Sequence, residues 1–213
     1  MIRQLTRPLL RPLTRPLVGK GGCERWAYNF DGVNDYAQFA QRLIDPDGDN
    51  TFEFLTASTL RPDDIIFSQN ITSVFSQMEF LLYTNSFNLA LNIGGTNTFI
   101  LNTSQGLAPN TRYKLEISGN LARTYNADGD LLREVAIVRG AAREPTAPTR
   151  ICVRGSGPGL SGFFQGLQYN IRINDHLYPI NNPASPEQRS VPDNGNPLTL
   201  FNTNQGRWSK IPC

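Results

Sequence analysis

The run Tyr28-Asn29-Phe30-Asp31-Gly32-Val33-Asn34-Asp35-Tyr36 decides how this sequence is read. Trp26, Tyr28 and Phe30 alternate with Ala27, Asn29 and Asp31, the period-2 pattern of a half-buried strand. Asp31-Gly32 breaks it, because glycine accepts a positive φ and aspartate bonds its own turn backbone. Tyr36 and Phe39 then resume an extended run, so the stretch reads as an opening hairpin.

Downstream the same logic repeats. Thr51-Phe52-Glu53-Phe54 alternates, and Ile65–Gln69 and Met78–Tyr83 read as further strands. Phe87–Ile93 alternates up to Gly94-Gly95, a hairpin signal, and Thr98–Leu101 pairs back. Tyr113, Leu115 and Ile117 face inward, with Arg112, Lys114 and Glu116 outward. Arg123–Leu131 reads as a hairpin around Asp128-Gly129, and strands are expected at Val135–Val138, Ile151–Val153 and Phe163–Ile173. Short, regularly spaced strands separated by turn chemistry indicate a β-sandwich.

In this order the motifs resemble the concanavalin A-like (laminin G-like) jelly rolls. The resemblance covers roughly Trp26 to His176 and rests on Phe30-Asp31-Gly32 with Asp35-Tyr36, Phe52-Glu53-Phe54, the Tyr113 strand and Phe163–Ile173. It implies an all-β jelly-roll sandwich over residues 23–180, with an irregular tail over 181–213. That tail packs on the sandwich or on a partner. The fold hosts many lectins, so it also implies that a host glycan is a possible ligand. Trp26, Tyr36 and Tyr125 are the candidate aromatic platforms for it, each equally suited to the core.

Residues 1–22 are of a different kind. Thr6-Arg7-Pro8-Leu9, Leu10-Arg11-Pro12-Leu13 and Thr14-Arg15-Pro16-Leu17 repeat every four residues, and Ile2-Arg3-Gln4-Leu5 keeps the register. Recurrent proline opposes a helix and favours extended backbone. A disordered basic tail and a phosphate-binding arm are alternatives, but no aromatic residue is interleaved for base stacking, which argues against nucleic acid. Leucine at every fourth position suits a groove on another protein. Arg3, Leu5, Arg7, Leu9, Arg11, Leu13, Arg15 and Leu17 are therefore the expected partner-binding residues, with Val18–Gly22 as a hinge.

Such an arm resembles the N-termini of small tailed-bacteriophage structural proteins. That implies a virion component, made in the host cytoplasm, which docks on capsid or tail subunits as a homo-oligomer. The alternative function is a lectin-like module that adheres to host glycans.

Composition bounds the chemistry. The chain has 213 residues and a net charge of +2, and residues 1–20 hold Arg3, Arg7, Arg11, Arg15 and Lys20 with no acid. No run approaches a membrane span, and the N-terminus lacks the apolar core of a signal peptide. Cys23, Cys152 and Cys213 have no metal-type spacing and read as free thiols. Asp45–Thr56 superficially resembles a calcium loop, but Asn50 and Thr56 stand where glycine and glutamate are needed, so a plain turn is preferred. Glu53, Asp63, Asp64 and Glu79 lack the alternate spacing of a glucanase carboxylate set. His176 is the single histidine, and Gly155–Gly159 lacks the lysine of a phosphate loop. No enzyme activity, metal or cofactor is expected.

Overall fold

A computed structural model describes residues 24–212, except 41–42, 44, 46–47, 71–77, 86–87, 103–105, 142–147 and 157–158. The strands in chain order are β1 (Glu24–Asp31), β2 (Tyr36–Phe39), β3 (Asn50–Thr56), β4 (Ile65–Asn70), β5 (Met78–Asn85) and β6 (Asn88–Ile93). They continue as β7 (Thr96–Leu101), β8 (Arg112–Ser118), β9 (Leu121–Tyr125), β10 (Leu131–Ala136), β11 (Arg150–Ile151) and β12 (Arg154–Ser156). The last are β13 (Gly159–Ser161), β14 (Gln165–Ile173), β15 (His176–Pro179), β16 (Glu187–Gln188), β17 (Leu198–Phe201) and β18 (Trp208–Pro212).

Among the described residues these strands form two large antiparallel sheets. The first runs β10-β9-β8-β3-β14-β1-β18, with β15 also paired to β14; the second runs β16-β17-β2-β11-β4-β5-β6-β7. The described chain crosses between the sheets after β1, β2, β3, β7, β10, β11, β15 and β17, so half of their strand pairs join strands that are not consecutive in sequence. This is the jelly-roll sandwich, built by strand alternation that turns one face of each sheet inward.

Aromatic side chains join the sheets. Phe52 of β3 meets Phe67 of β4 edge-on at 4.8 Å, and Phe39 of β2 meets Tyr178 of β15 at 4.8 Å. Tyr28, Phe30, Phe54, Leu82, Leu91, Leu115 and Ile171 complete a fully buried layer between them. Each such side chain contributes about 1.5–3 kcal/mol through burial.

Four details differ from the sequence reading. Trp26 shares a face with Tyr28 but stays 36% exposed, with Lys210 Nζ 5.6 Å from its ring centroid, while Ala27 is fully buried. The strand expected at Val135–Val138 lies earlier, as β10, because its register is set by the turn that Asn126 builds. Asn126 Oδ1 accepts from Asp128 N–H and Asp130 N–H at 3.0 and 2.8 Å. The stretch around Gly155 belongs to a hairpin, β12 on β13.

Finally, 181–213, read as an irregular extension, supplies strands to both sheets: β17 pairs β2, and β18 pairs β1. Leu198 and Leu200 alternate inward like any core strand, but Asn196-Pro197 before them and Asn202 after them mask so short a run. Residues 1–22, with every proposed partner-binding arginine and leucine, lie outside the described residues, as do Cys23 and Cys213. Cys152 is free and fully buried, and burial pushes its thiol up.

Candidate functional site

The opening turn forms one rim of the sandwich. Asp31 Oδ1 accepts the N–H groups of Val33, Asn34 and Asp35 at 2.8, 3.1 and 3.3 Å, and Gly32 takes φ 73° to make this possible. Partial burial raises the Asp31 carboxyl, but those three donors and Arg207, 3.4 Å away, outweigh it and hold the group below the usual range. Asp35 is 2% exposed and accepts from the Tyr28 hydroxyl at 3.0 Å; there burial prevails and pushes the acid up. The Tyr28 oxygen also accepts from Asn204 N–H at 3.0 Å, and Asn202 Nδ2 donates to Asn34 O. The C-terminal segment is thereby latched onto the turn.

Against this turn sits the loop 61–64. Pro62 fixes its backbone, and Asp63 then takes φ 62°, a left-handed conformation that side chains other than glycine, asparagine and aspartate resist. Thr84, near the end of β5, holds the loop with four hydrogen bonds. Asp63 N–H donates to Thr84 O at 2.9 Å, and Thr84 N–H to Asp64 O at 2.9 Å. Asp64 N–H donates to Thr84 Oγ1 at 3.0 Å, and that hydroxyl donates to Arg61 O at 2.8 Å.

Arg61 ties three segments together. Its guanidinium donates to Gly32 O at 3.0 Å and Phe163 O at 2.6 Å, and lies 3.0 Å from Asp64 Oδ1. A Cβ on Gly32, already at φ 73°, would stand 2.1 Å from Arg61 Nη2, so a side chain there would push the guanidinium off the turn. Asp64 is 6% exposed, and burial raises its carboxyl despite Arg61.

What remains open is a depression of about 410 Å³ lined by Gly32, Arg61, Pro62, Asp63, Asp64, Gly162 and Phe163. It offers an exposed carboxylate (Asp63), a partly exposed guanidinium (Arg61) and a half-buried aromatic residue (Phe163). This set can accept and donate hydrogen bonds to hydroxyl groups beside an apolar contact, on a loop that binding need not order.

The sequence candidates are dispersed. Trp26 borders β18. Tyr36 stacks on Phe201 at 4.9 Å and 8°. Tyr125 donates to Glu116 at 2.9 Å on the outer face of the first sheet. Glu53 lies on that same face, where Arg25 is 3.6 Å away and Asn170 Nδ2 donates at 3.3 Å. His176 opens β15, its Nδ1 3.1 Å from Pro192 O, and Glu79 falls in β5. Among the described residues no three His, Cys, Asp or Glu side chains are grouped to hold a metal. In the Asp45 turn, Asn50 Nδ2 donates to Asp45 O at 3.0 Å and Gly48 O at 3.1 Å.

Asp63 and Asp64 were visible in the sequence as turn acids. Arg61 and Thr84 carried no signal there beyond the Pro-Asp turn that follows Arg61, and Phe163 was visible only as the start of the closing strand.

No family model matches the chain, and no curated protein matches it. Solved structures do. A candidate carbohydrate-binding protein from Bacteroides ovatus aligns with a TM-score of 0.56 at 12% identity, over 88% of this chain and 60% of that one. The LG1-3 region of the laminin α2 chain gives 0.49 at 11% identity, over 73% and 27%. Domains LG4-5 of mouse laminin α1 give 0.48 at 12% identity, over 99% and 52%. The chain thus spans about 60% of the Bacteroides protein, with which it shares the concanavalin A-like jelly-roll fold.

Proposed function

We propose that this chain is a carbohydrate-binding module that holds a glycan in the rim depression beside Asp63. The observation that carries the reading is the rim depression itself, where the exposed Asp63 carboxylate stands beside Arg61 and Phe163 on a loop fixed by its hydrogen bonds to Thr84. The fold shared with the Bacteroides ovatus candidate carbohydrate-binding protein supports the same reading. We take the module to bind without turnover.

The test is a glycan array probed with the full chain and with Asp63→Gly. Glycine is at ease at positive φ, so this variant keeps the backbone while removing the carboxylate. Saturable binding by the full chain that Asp63→Gly loses supports the assignment; binding that Asp63→Gly leaves unchanged rejects it.

The virion reading is a separate proposal carried by the four-residue repeat of residues 2–17. An arm-anchored lectin on a phage particle would satisfy both. Deleting residues 2–18 should leave glycan binding intact and abolish incorporation into particles, and normal incorporation would reject the anchor.

A further inference from the structure

Away from the rim, the outer face of the first sheet carries a groove of unusual charge. Because Phe52 and Phe54 point inward, Thr51, Glu53 and Leu55 of β3 point out, and pairing aligns their neighbours into rows. One row is Asn170, Glu53, Lys114 and Tyr125; the next is Arg172, Thr51, Glu116 and Arg123. Two adjoining depressions, of about 400 and 270 Å³, share Glu53, Lys114 and Asn170.

Their lining holds four cations, Arg25, Arg112, Lys114 and Arg172, against two carboxylates, Glu53 and Glu116. This runs against the composition around it. Of the 20 Lys and Arg in the chain, five lie in residues 1–20, which leaves 15 against 18 acids for the rest. An acidic body thus collects a positive groove across β1, β14, β3 and β8.

The carboxylates are held in place. Glu53 bonds Asn170 and faces Arg25 at 3.6 Å, while Glu116 accepts from Tyr125 at 2.9 Å and faces Lys114 at 2.5 Å. Burial raises Glu116, but these donors outweigh it and keep it ionised.

We propose that this groove binds an acidic polysaccharide, at a site independent of the rim depression. Its cations are sparse and interleaved with carboxylate and amide groups. That suits a chain bearing isolated negative charges among many hydroxyls, which Glu53 and Asn170 can bond. A nucleic acid presents about one charge per 1.7 Å of duplex, which the two carboxylates would repel. Single strands favour aromatic platforms, and Tyr125 alone stands on these rows.

The experiment measures binding of the full chain to dextran sulfate, polygalacturonate, uncharged dextran and a single-stranded oligonucleotide at two salt concentrations. Variants are Arg112→Glu with Arg172→Glu, Arg172→Glu alone, Lys114→Gln, Asp63→Gly, and a set with Arg3, Arg7, Arg11 and Arg15 changed to Gln. Thermal melting confirms that each variant folds, and exposed Arg172→Glu serves if the double variant does not.

The proposal expects both acidic polymers to bind, more weakly at high salt, and dextran not to bind. The double variant loses at least tenfold, the single variants lose less, and the Asp63 and arm variants retain binding. Equal binding to dextran and polygalacturonate overturns it. So does loss confined to the arm variant, or tighter binding of the oligonucleotide than of polygalacturonate.

Discussion

Arg61 Nη2 lies 3.0 Å from Asp64 Oδ1, and the same guanidinium donates to the carbonyls of Gly32 and Phe163. One side chain thus holds the opening turn, the 61–64 loop and the start of β14 in a single arrangement. Because 36% of that side chain is exposed, solvent screens its charge, and geometry matters more than Coulomb energy.

Arg61→Ala is expected to cost about 2 kcal/mol in denaturant unfolding, since two carbonyls and a buried carboxylate lose their donor. Arg61→Lys should recover little, because an ammonium cannot reproduce the planar fork. Wild-type stability in Arg61→Lys would contradict this.

Asp64 gives a pH signature. Its folded-state carboxyl is raised by burial above the ordinary aspartate value of 3.8, so the folded state binds the proton more tightly than the unfolded chain. Its contribution is therefore fully present below 3.8 and is lost as pH rises through the raised value. Wild type should lose stability relative to Asp64→Asn over that window and run parallel above it. Melting curves of both proteins from pH 3 to 8 measure the difference; one that grows in the opposite direction would exclude a raised carboxyl.

Tyr28→Phe removes the hydroxyl that donates to Asp35 and accepts from Asn204. Asp35 is then left buried without that donor, and about 1–3 kcal/mol of stability should go. Hydrogen exchange should also quicken at Asn204, whose amide loses its acceptor. Unchanged exchange there would mean that the C-terminal segment is not latched through Tyr28.

Phe52→Ala opens a cavity between the sheets where Phe52 meets Phe67, and should cost about 3–5 kcal/mol. An unfolding loss below 1 kcal/mol would place Phe52 outside the core.

Much of the sandwich was legible in the sequence because alternation survives where one face is buried and the other wet, as in Asn50–Thr56 and Arg112–Ser118. It failed where that contrast fades. Trp26 lies near the strand end beside Lys210, and Leu198–Phe201 is too short to show a period. The rim was only half legible. Asp31-Gly32 announced a turn, but that Arg61 would reach Gly32 and Phe163 depends on crossovers joining residues up to 102 positions apart. No local pattern encodes such a meeting.

The most direct test of the account titrates the best array glycan into wild type and Asp63→Gly by calorimetry, alongside thermal melting. The account predicts folding stability within about 1 kcal/mol of wild type, because glycine accepts the left-handed φ that Asp63 holds, at the cost only of a looser unfolded chain. It also predicts at least a tenfold weaker Kd, about 1.4 kcal/mol of binding. Equal affinity in the two proteins would contradict a glycan site at Asp63.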